Sequence, residues 1–514
     1  MNVPVAGPAG GYGMGMTRSA PREVGGVPLI DARNAPPSDR DAPVVRTAAG
    51  RVRGFWRGDC ATFTGIPYAA PPVGELAFRA PRPHPAWDGV RDATAQGATP
   101  QRGGTGATLI PEPSVPGSST LNVNVFTPDP APGADLPVLV YVHGGAYASG
   151  SIASPWYDGA AFARDGVVTV TLSYRIAFPG FGWVRGSEQN RGVRDWILAL
   201  EWVQENIRSF GGDPSRVTLA GQSAGGGAVL TLLGIPAAHH LFHAAWCMSP
   251  TMSLIGRHEA LALGDALAGS LDVPNSAAGF GGVDAGVLSR AQIPLVAASR
   301  GLRGLRRSVS SGLHLGPTVD GDLIHRPTLA ALRGGSGRRI PLVIGSADDE
   351  FTMILDPYAR FLRFVPAAPA LALLGLDASR SRAYRAANPD VNGTTARLGR
   401  YVSDMGFRRH VRRVGDAREA SNTWGYRFSW RSPVRGWAFH CLDVPFFFDV
   451  LGAHGVAAVA GDDPPQALAD EIHGSAVRFI TSHTAGWATW PSARVFDEAP
   501  GTIAEGYAGV RPLG

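Results

Sequence analysis

Apolar positions fall in two rhythms along this chain. Leu136 to His143 (LPVLVYVH) and Val167 to Tyr174 (VVTVTLSY) are near-continuous apolar runs of strand length, as strands buried on both faces require. Asn122 to Thr127, Arg216 to Ala220, Pro341 to Gly345 and Trp424 to Trp430 read as further strands. Between them, Asp195 to Phe210 places Ile197, Leu198, Leu200, Trp202, Val203 and Ile207 close to helical spacing. Gly211-Gly212-Asp213-Pro214 ends that helix, and Gly225 to Leu233 resumes as another. This alternation predicts the α/β class: a largely parallel central sheet with helices on both faces. The stretches 255–310 and 355–420 are helix-rich and Arg-rich, and are expected to be cap insertions over the functional edge of the sheet. Residues 1–42, rich in Gly, Pro and Ala, are expected to be a disordered extension, and 43–514 a single domain without repeats or linkers.

Composition narrows the class. A chain of 514 residues that is 44% hydrophobic and 17% charged can bury a large core, which excludes wholesale disorder. The longest membrane candidate, Phe364 to Leu376, is 13 residues long and broken by Pro366 and Pro369. A spanning helix needs about 20 apolar residues, so no membrane segment is expected. The formal charge of +5 is a weak bias over this length, and every one of the 47 basic residues is Arg. The densest basic runs are Arg300, Arg303, Arg306, Arg307 and Arg408, Arg409, Arg412, Arg413. They lack interleaved base-stacking aromatics and read as solvated helix faces, so no nucleic-acid partner is expected. Cys60, Cys247 and Cys441 are odd in number and have no metal-ligand spacing, so neither a disulfide framework nor a metal site is expected. The first residues show no charged region leading into an apolar run, and the simplest reading is a cytoplasmic protein.

The chemistry concentrates at Gly221-Gln222-Ser223-Ala224-Gly225, between a predicted strand and a predicted helix. A sharp turn there lifts the Ser223 hydroxyl to the top of the sheet, and the flanking glycines keep strand and helix from colliding. Earlier, the strand from Leu136 runs into His143-Gly144-Gly145-Ala146-Tyr147. Backbone N–H groups of Gly144, Gly145 and Ala224 are candidate donors to the oxygen of a tetrahedral intermediate, with His143 fixing the loop. A serine hydroxyl needs a base, and the base an orienting acid. His440 is the candidate base, in the apolar company of AFHCLDVPFFF (438–448). Glu350 is the candidate acid; the residues alone leave its neighbours Asp348 and Asp349 open. The chain order is then serine, acid, histidine.

Taken together, the motifs GIPYAAPPVG (65–74), LPVLVYVHGGAY (136–147), NRGVRDWILALEWVQENIRSFGGDPSRVTLAGQSAGG (190–226), IPLVIGSADDEF (340–351) and AFHCLDVPFFF (438–448) resemble the type-B carboxylesterases. That family of α/β-hydrolases also contains the cholinesterases. The resemblance runs from Val44 to the end of the chain. It implies the α/β-hydrolase fold and hydrolysis of small-molecule esters through an acyl-enzyme, without a cofactor. It also implies Ser223 as nucleophile, His440 as base and Glu350, rather than its neighbours, as acid. Ser249 resembles a serine that hydrogen-bonds this acid. The chain departs from the family pattern at Ser118-Ser119-Thr120 and at Gly97 to Gln101, where secreted members carry cysteine. Gln222 stands where many relatives have Glu, which removes a negative charge beside the nucleophile.

Other signals weigh less. His239, His240 and His243 have no supporting carboxylate or Cys pattern for a metal. Cys441 reads as a buried inert thiol, and the glycines from Gly11 to Gly15 follow no strand and so make no dinucleotide fingerprint. Phe178, Phe181 and Trp183 are candidates for an acyl pocket, with core packing at least as good a reading. An amide or carbamate hydrolase would use the same residues. A non-catalytic binding protein of the same fold is the third reading, disfavoured because all three triad positions and both Gly donors are intact.

Overall fold

The computed structural model describes residues 22–101, 108–252, 255–297, 313, 315–418 and 420–514. The basic run Arg300 to Arg307 and the glycines from Gly11 to Gly15 lie outside the described residues. Eleven strands make the main sheet. They are β1 (Phe55–Arg57), β2 (Cys60–Pro67), β3 (Asn122–Thr127), β4 (Leu136–Val142), β5 (Val168–Leu172) and β6 (Gly212–Gln222), followed by β7 (Ala244–Met248), β8 (Leu342–Ala347), β9 (Thr423–Phe428), β10 (Ala493–Phe496) and β11 (Gly501–Ile503). The spatial order is β11-β10-β9-β8-β7-β6-β4-β5-β3-β2-β1. The run from β5 through β4 and β6 to β10 is parallel throughout, while the outer strands at both edges pair antiparallel.

The continuous apolar runs have a physical reason. Successive residues of a strand point to opposite faces, and here both faces are buried. Val138, Val140 and Val142 of β4 enter one core cluster while Leu139 and Tyr141 enter the other. Likewise, Ala245 and Cys247 of β7 face one way, and Ala244, Trp246 and Met248 the other. The helix Arg191–Asn206 covers the first face with Val193, Trp196, Leu200 and Val203. The helix Gln466–Ser482 covers the second with Leu468, Ile472, Ala476 and Phe479. This is the α/β-hydrolase arrangement, a large and mostly parallel sheet flanked by helices.

Several expectations are amended. Residues 22–42, expected within the disordered extension, carry a hairpin of Glu23–Val24 with Val27–Pro28, and they bury Leu29, Ile30 and Asp31. Asn34 holds this segment together by donating to the carbonyls of Arg22 and Leu29, so its order comes from side-chain hydrogen bonds that composition does not reveal. β7 was not expected, because its Ala-Ala start weakens the strand signal. β6 begins early, at Gly212, where an irregularity between Gly212 and Val217 lets it pair with Leu136.

Candidate active site

Ser223 sits between the end of β6 and the helix Ala224–Leu233, with φ 59° and ψ −121°. Few non-glycine residues adopt that conformation, and the surroundings hold it. Its N–H donates to the Met248 carbonyl (2.9 Å), and its carbonyl accepts from Gly227 (2.9 Å) and Thr251 (3.1 Å). The tight crossing explains the glycines. A Cβ on Gly225 would lie 2.0 Å from the Val142 carbonyl oxygen, and one on Gly221 would lie 2.4 Å from the Gly225 carbonyl carbon.

The loop after β4 closes over the serine. A Cβ on Gly144 would stand 3.1 Å from Ser223 Cβ and 2.8 Å from the Gln222 carbonyl oxygen. Gly145, Ala146 and Tyr147 all have positive φ, which turns the loop away from the strand. Among the described residues, the N–H groups of Gly144 and Gly145 donate to no acceptor, and Ala224 N–H is a first-turn donor without an intrahelical partner. His143 anchors this loop. Its Nδ1 lies 2.8 Å from the Gly144 carbonyl oxygen, and its ring stacks on Tyr174 at 4.4 Å. Burial pushes its pKa down to about 4, so it stays neutral at physiological pH.

Glu350 and His440 meet across the end of the sheet. Glu350 Oε2 lies 2.5 Å from His440 Nδ1, Oε1 accepts from Ala347 N–H (3.0 Å), and the Glu350 carbonyl accepts from His440 N–H (2.8 Å). Ser249, at φ 43°, accepts at its Oγ from the same Ala347 N–H (3.4 Å), and among the described residues it makes no hydrogen bond to Glu350 itself. Burial disfavours charge on the His440 ring. Cys441 and the Glu350 carboxylate outweigh it and hold the imidazole pKa above the usual histidine range. His440 Nε2 lies 3.2 Å from the Gln222 side-chain nitrogen, and Ser223 Oγ makes no hydrogen bond among the described residues. Catalytic hydrogen bonds are often long in unliganded sites and tighten around substrate.

Three features of this half escape a reading by motif. The ring of His440 lies 4.8 Å from Phe351 and 4.7 Å from Phe407, which are themselves 5.5 Å apart, so the three rings form a cluster. Phe407 belongs to a π-helical turn, Asp404–Arg408, a form that often accompanies functional sites. Asp348 and Asp349, the other acid candidates, are taken by arginines. Asp348 pairs with Arg408 and Arg427 and accepts from Ser429 (2.7 Å), while Asp349 pairs with Arg400 at 3.2 Å. Arg408 also binds Asp404 at 2.6 Å. Arg408 and Arg409, expected on a solvated face, are buried. Asp443 is buried as well, 3.0 Å from the Tyr426 hydroxyl, and burial beside Glu350 raises its pKa to about 6. An acid three residues after His440 in an otherwise apolar run was the sequence signal for it.

Of the remaining candidates, Phe181 packs against Tyr147 (4.8 Å) and Trp196, and Phe178 against Phe280 (4.8 Å). Trp183 clusters with Ile255 and Ala260. His239 Nε2 lies 2.9 Å from the Leu233 carbonyl oxygen, and no metal-holding group of three His, Cys, Asp or Glu occurs among the described residues. All three cysteines are free and buried. No helix among the described residues is long and apolar enough to cross a membrane.

The parallel sheet, with a serine at the turn from strand to helix, defines an α/β-hydrolase. Residues 41–485 match the model of the carboxylesterase family. The chain is 31% identical to para-nitrobenzyl esterase of Bacillus subtilis over 455 residues, 85% of this chain and 89% of that protein. It is also 31% identical to fumonisin B1 esterase of Sphingopyxis macrogoltabida over 477 residues, 89% of this chain and 83% of that protein. Among solved structures, a carboxylesterase of Geobacillus stearothermophilus superposes with a TM-score of 0.78 at 31% identity, covering 91% of this chain and 99% of its own. The chain therefore belongs to the carboxylesterase family, and it is a carboxylic ester hydrolase.

Proposed function

We propose that this esterase works through an acyl-enzyme formed on Ser223, with His440 as base and Glu350 as its orienting acid. The short His440–Glu350 contact beside a serine held at φ 59° carries this reading. Ser223 Oγ attacks the carbonyl carbon of a small-molecule ester, and His440 Nε2 takes the hydroxyl proton. Glu350 then faces an imidazolium, which its carboxylate stabilises. The N–H groups of Gly144, Gly145 and Ala224 hold the negative oxygen, and removing one such donor typically costs about 3 kcal/mol of barrier. The alcohol leaves with the proton from His440, and water repeats the cycle on the acyl-enzyme.

Gln222 sits against the same ring nitrogen. In the resting state its amide N–H donates to the Nε2 lone pair, while its Oε1 is buried without a partner. That contact must open before Nε2 can accept the serine proton and hand it to the leaving alcohol. Residues 43–514 serve as one hydrolase domain, with insertions near 255–310, of which 298–310 lie outside the described residues, and near 355–420 as caps. Support comes from a single sheet that takes strands from Phe55 to Ile503.

The test is hydrolysis of p-nitrophenyl acetate, butyrate, octanoate and palmitate by wild type and Ser223→Ala. The expected loss in the variant is at least about a thousandfold. An organophosphonate is expected to label wild type once, at Ser223. Wild-type rates in Ser223→Ala would sink the assignment.

A further inference from the structure

The longest apolar stretch of the sequence, Phe364 to Leu376, plays no part in the site described above. It continues a run of short helices, Thr352–Tyr358, Ala359–Leu362 and Ala367–Leu373, that starts two residues after Glu350. The inner side of this run is accounted for, because Leu355, Leu362, Leu371 and Leu376 pack with Tyr384, Leu398 and Tyr401. The outer side is different. Ile354 and Tyr358 of the 3-10 helix, Phe361 of the next short helix and Phe364 in the turn just beyond it are 43%, 60%, 57% and 74% exposed. Val365 and Leu373 are exposed beside them. A surface helix ordinarily turns polar residues outward, and a helical run apolar on both sides calls for a second apolar phase against it.

The charges of the run identify that phase. Its sole carboxylate, Asp356, accepts a hydrogen bond from the Trp437 indole at 3.0 Å. Its two cations lie on the outer aromatic rings: the Arg360 guanidinium is 4.5 Å from the Phe361 ring centroid, and that of Arg363 is 4.5 Å from the Phe364 centroid. Aromatic side chains beside arginines suit the boundary between acyl chains and phosphate headgroups, where the stems lie along apolar surface and the charges reach anions. A second protein copy would explain the apolar stripe but would leave the paired cations without a counterpart on this run.

We propose that the stripe Ile354–Tyr358–Phe361–Phe364 docks the enzyme on an anionic phospholipid surface, with Arg360 and Arg363 meeting the headgroups. Docking itself is independent of the esterase reading. Its consequence rests on that reading: the run leads directly out of the acid loop, so a docked enzyme draws on esters held in the lipid.

The test is flotation of the full-length enzyme with phosphatidylcholine vesicles of increasing phosphatidylglycerol content. Binding is expected to rise with phosphatidylglycerol and to weaken with salt. Phe361→Ser/Phe364→Ser is expected to lower the partition coefficient at least about tenfold. Arg360→Gln/Arg363→Gln is expected to lower it several-fold and to flatten the salt dependence. All four side chains are exposed, so wild-type turnover of a soluble short-chain ester checks that the variants are folded. Absence of binding at every lipid composition, or unchanged binding in the phenylalanine variant, overturns the proposal. A wild type that is dimeric by light scattering and becomes monomeric in the phenylalanine variant also overturns it, and assigns the stripe to a second copy. Because flotation reads binding and not turnover, its failure leaves the esterase reading standing.

Discussion

The two halves of the candidate site are built by different means. The serine half is made of backbone. Its parts come from adjacent strand ends, and its tolerances are set by glycines whose missing Cβ atoms leave room for the crossing. The histidine–glutamate half is made of side chains gathered from far apart in the chain. Arg400, Phe407 and Arg408 come from the helical stretch, Arg427 from β9 and Phe351 from the acid loop itself. One half is rigid because little space exists in it. The other is held by ion pairs and ring contacts between buried side chains.

That contrast sets the order of the expected effects. Gly225→Ala drives a methyl group into the Val142 carbonyl and should be the single change most damaging to turnover. It is expected to cost about 3 kcal/mol or more in denaturant unfolding and to abolish most turnover, because the elbow cannot keep its shape. Retention of both would show that the serine half has slack. Arg408→Met leaves Asp348 and Asp404 buried beside an uncharged side chain. The expected loss is about 3–5 kcal/mol of stability, with turnover at low temperature reduced far less than in Gly225→Ala. A variant with unchanged stability would mean that the ionic cluster does not hold the acid loop. Phe407→Leu is the mildest. Aromatic faces favour a cation beside them, so its removal should lower the His440 pKa and reduce kcat by about threefold. Phe407→Tyr should restore both, a result that simple packing loss would not produce.

The same contrast decides what the sequence makes legible. The glycine-flanked serine, the Gly144-Gly145 pair and the buried strands are local patterns, and the structure has the serine between a strand and a helix and the glycine pair directly after β4. The family resemblance expects Ser249 to hydrogen-bond Glu350, whereas in the structure the two share only the Ala347 N–H, which lies on another strand. The pairing of Arg408 with Asp348 spans 60 positions, and the contact of Gln222 with His440 spans 218. No periodicity or spacing encodes such contacts. The run Arg408, Arg409, Arg412, Arg413 looks like a solvated face because charge density alone does not say which arginines find a buried carboxylate. Residues 22–42 teach the same lesson, where the side chain of Asn34 orders a segment whose composition suggests disorder.

The central claim is that Glu350 and His440 act as one unit on Ser223, and its most direct test is the pH dependence of kcat/KM for wild type and Glu350→Gln. The base must be neutral to take the serine proton, and the carboxylate favours the protonated ring. Activity of the wild type should therefore rise with pH through an acid limb above the usual histidine value of about 6.5. In Glu350→Gln that limb should move to lower pH, while the plateau falls by about a thousandfold or more. An acid limb at the same pH in both proteins, or a plateau that does not fall, would contradict the coupling of these two residues.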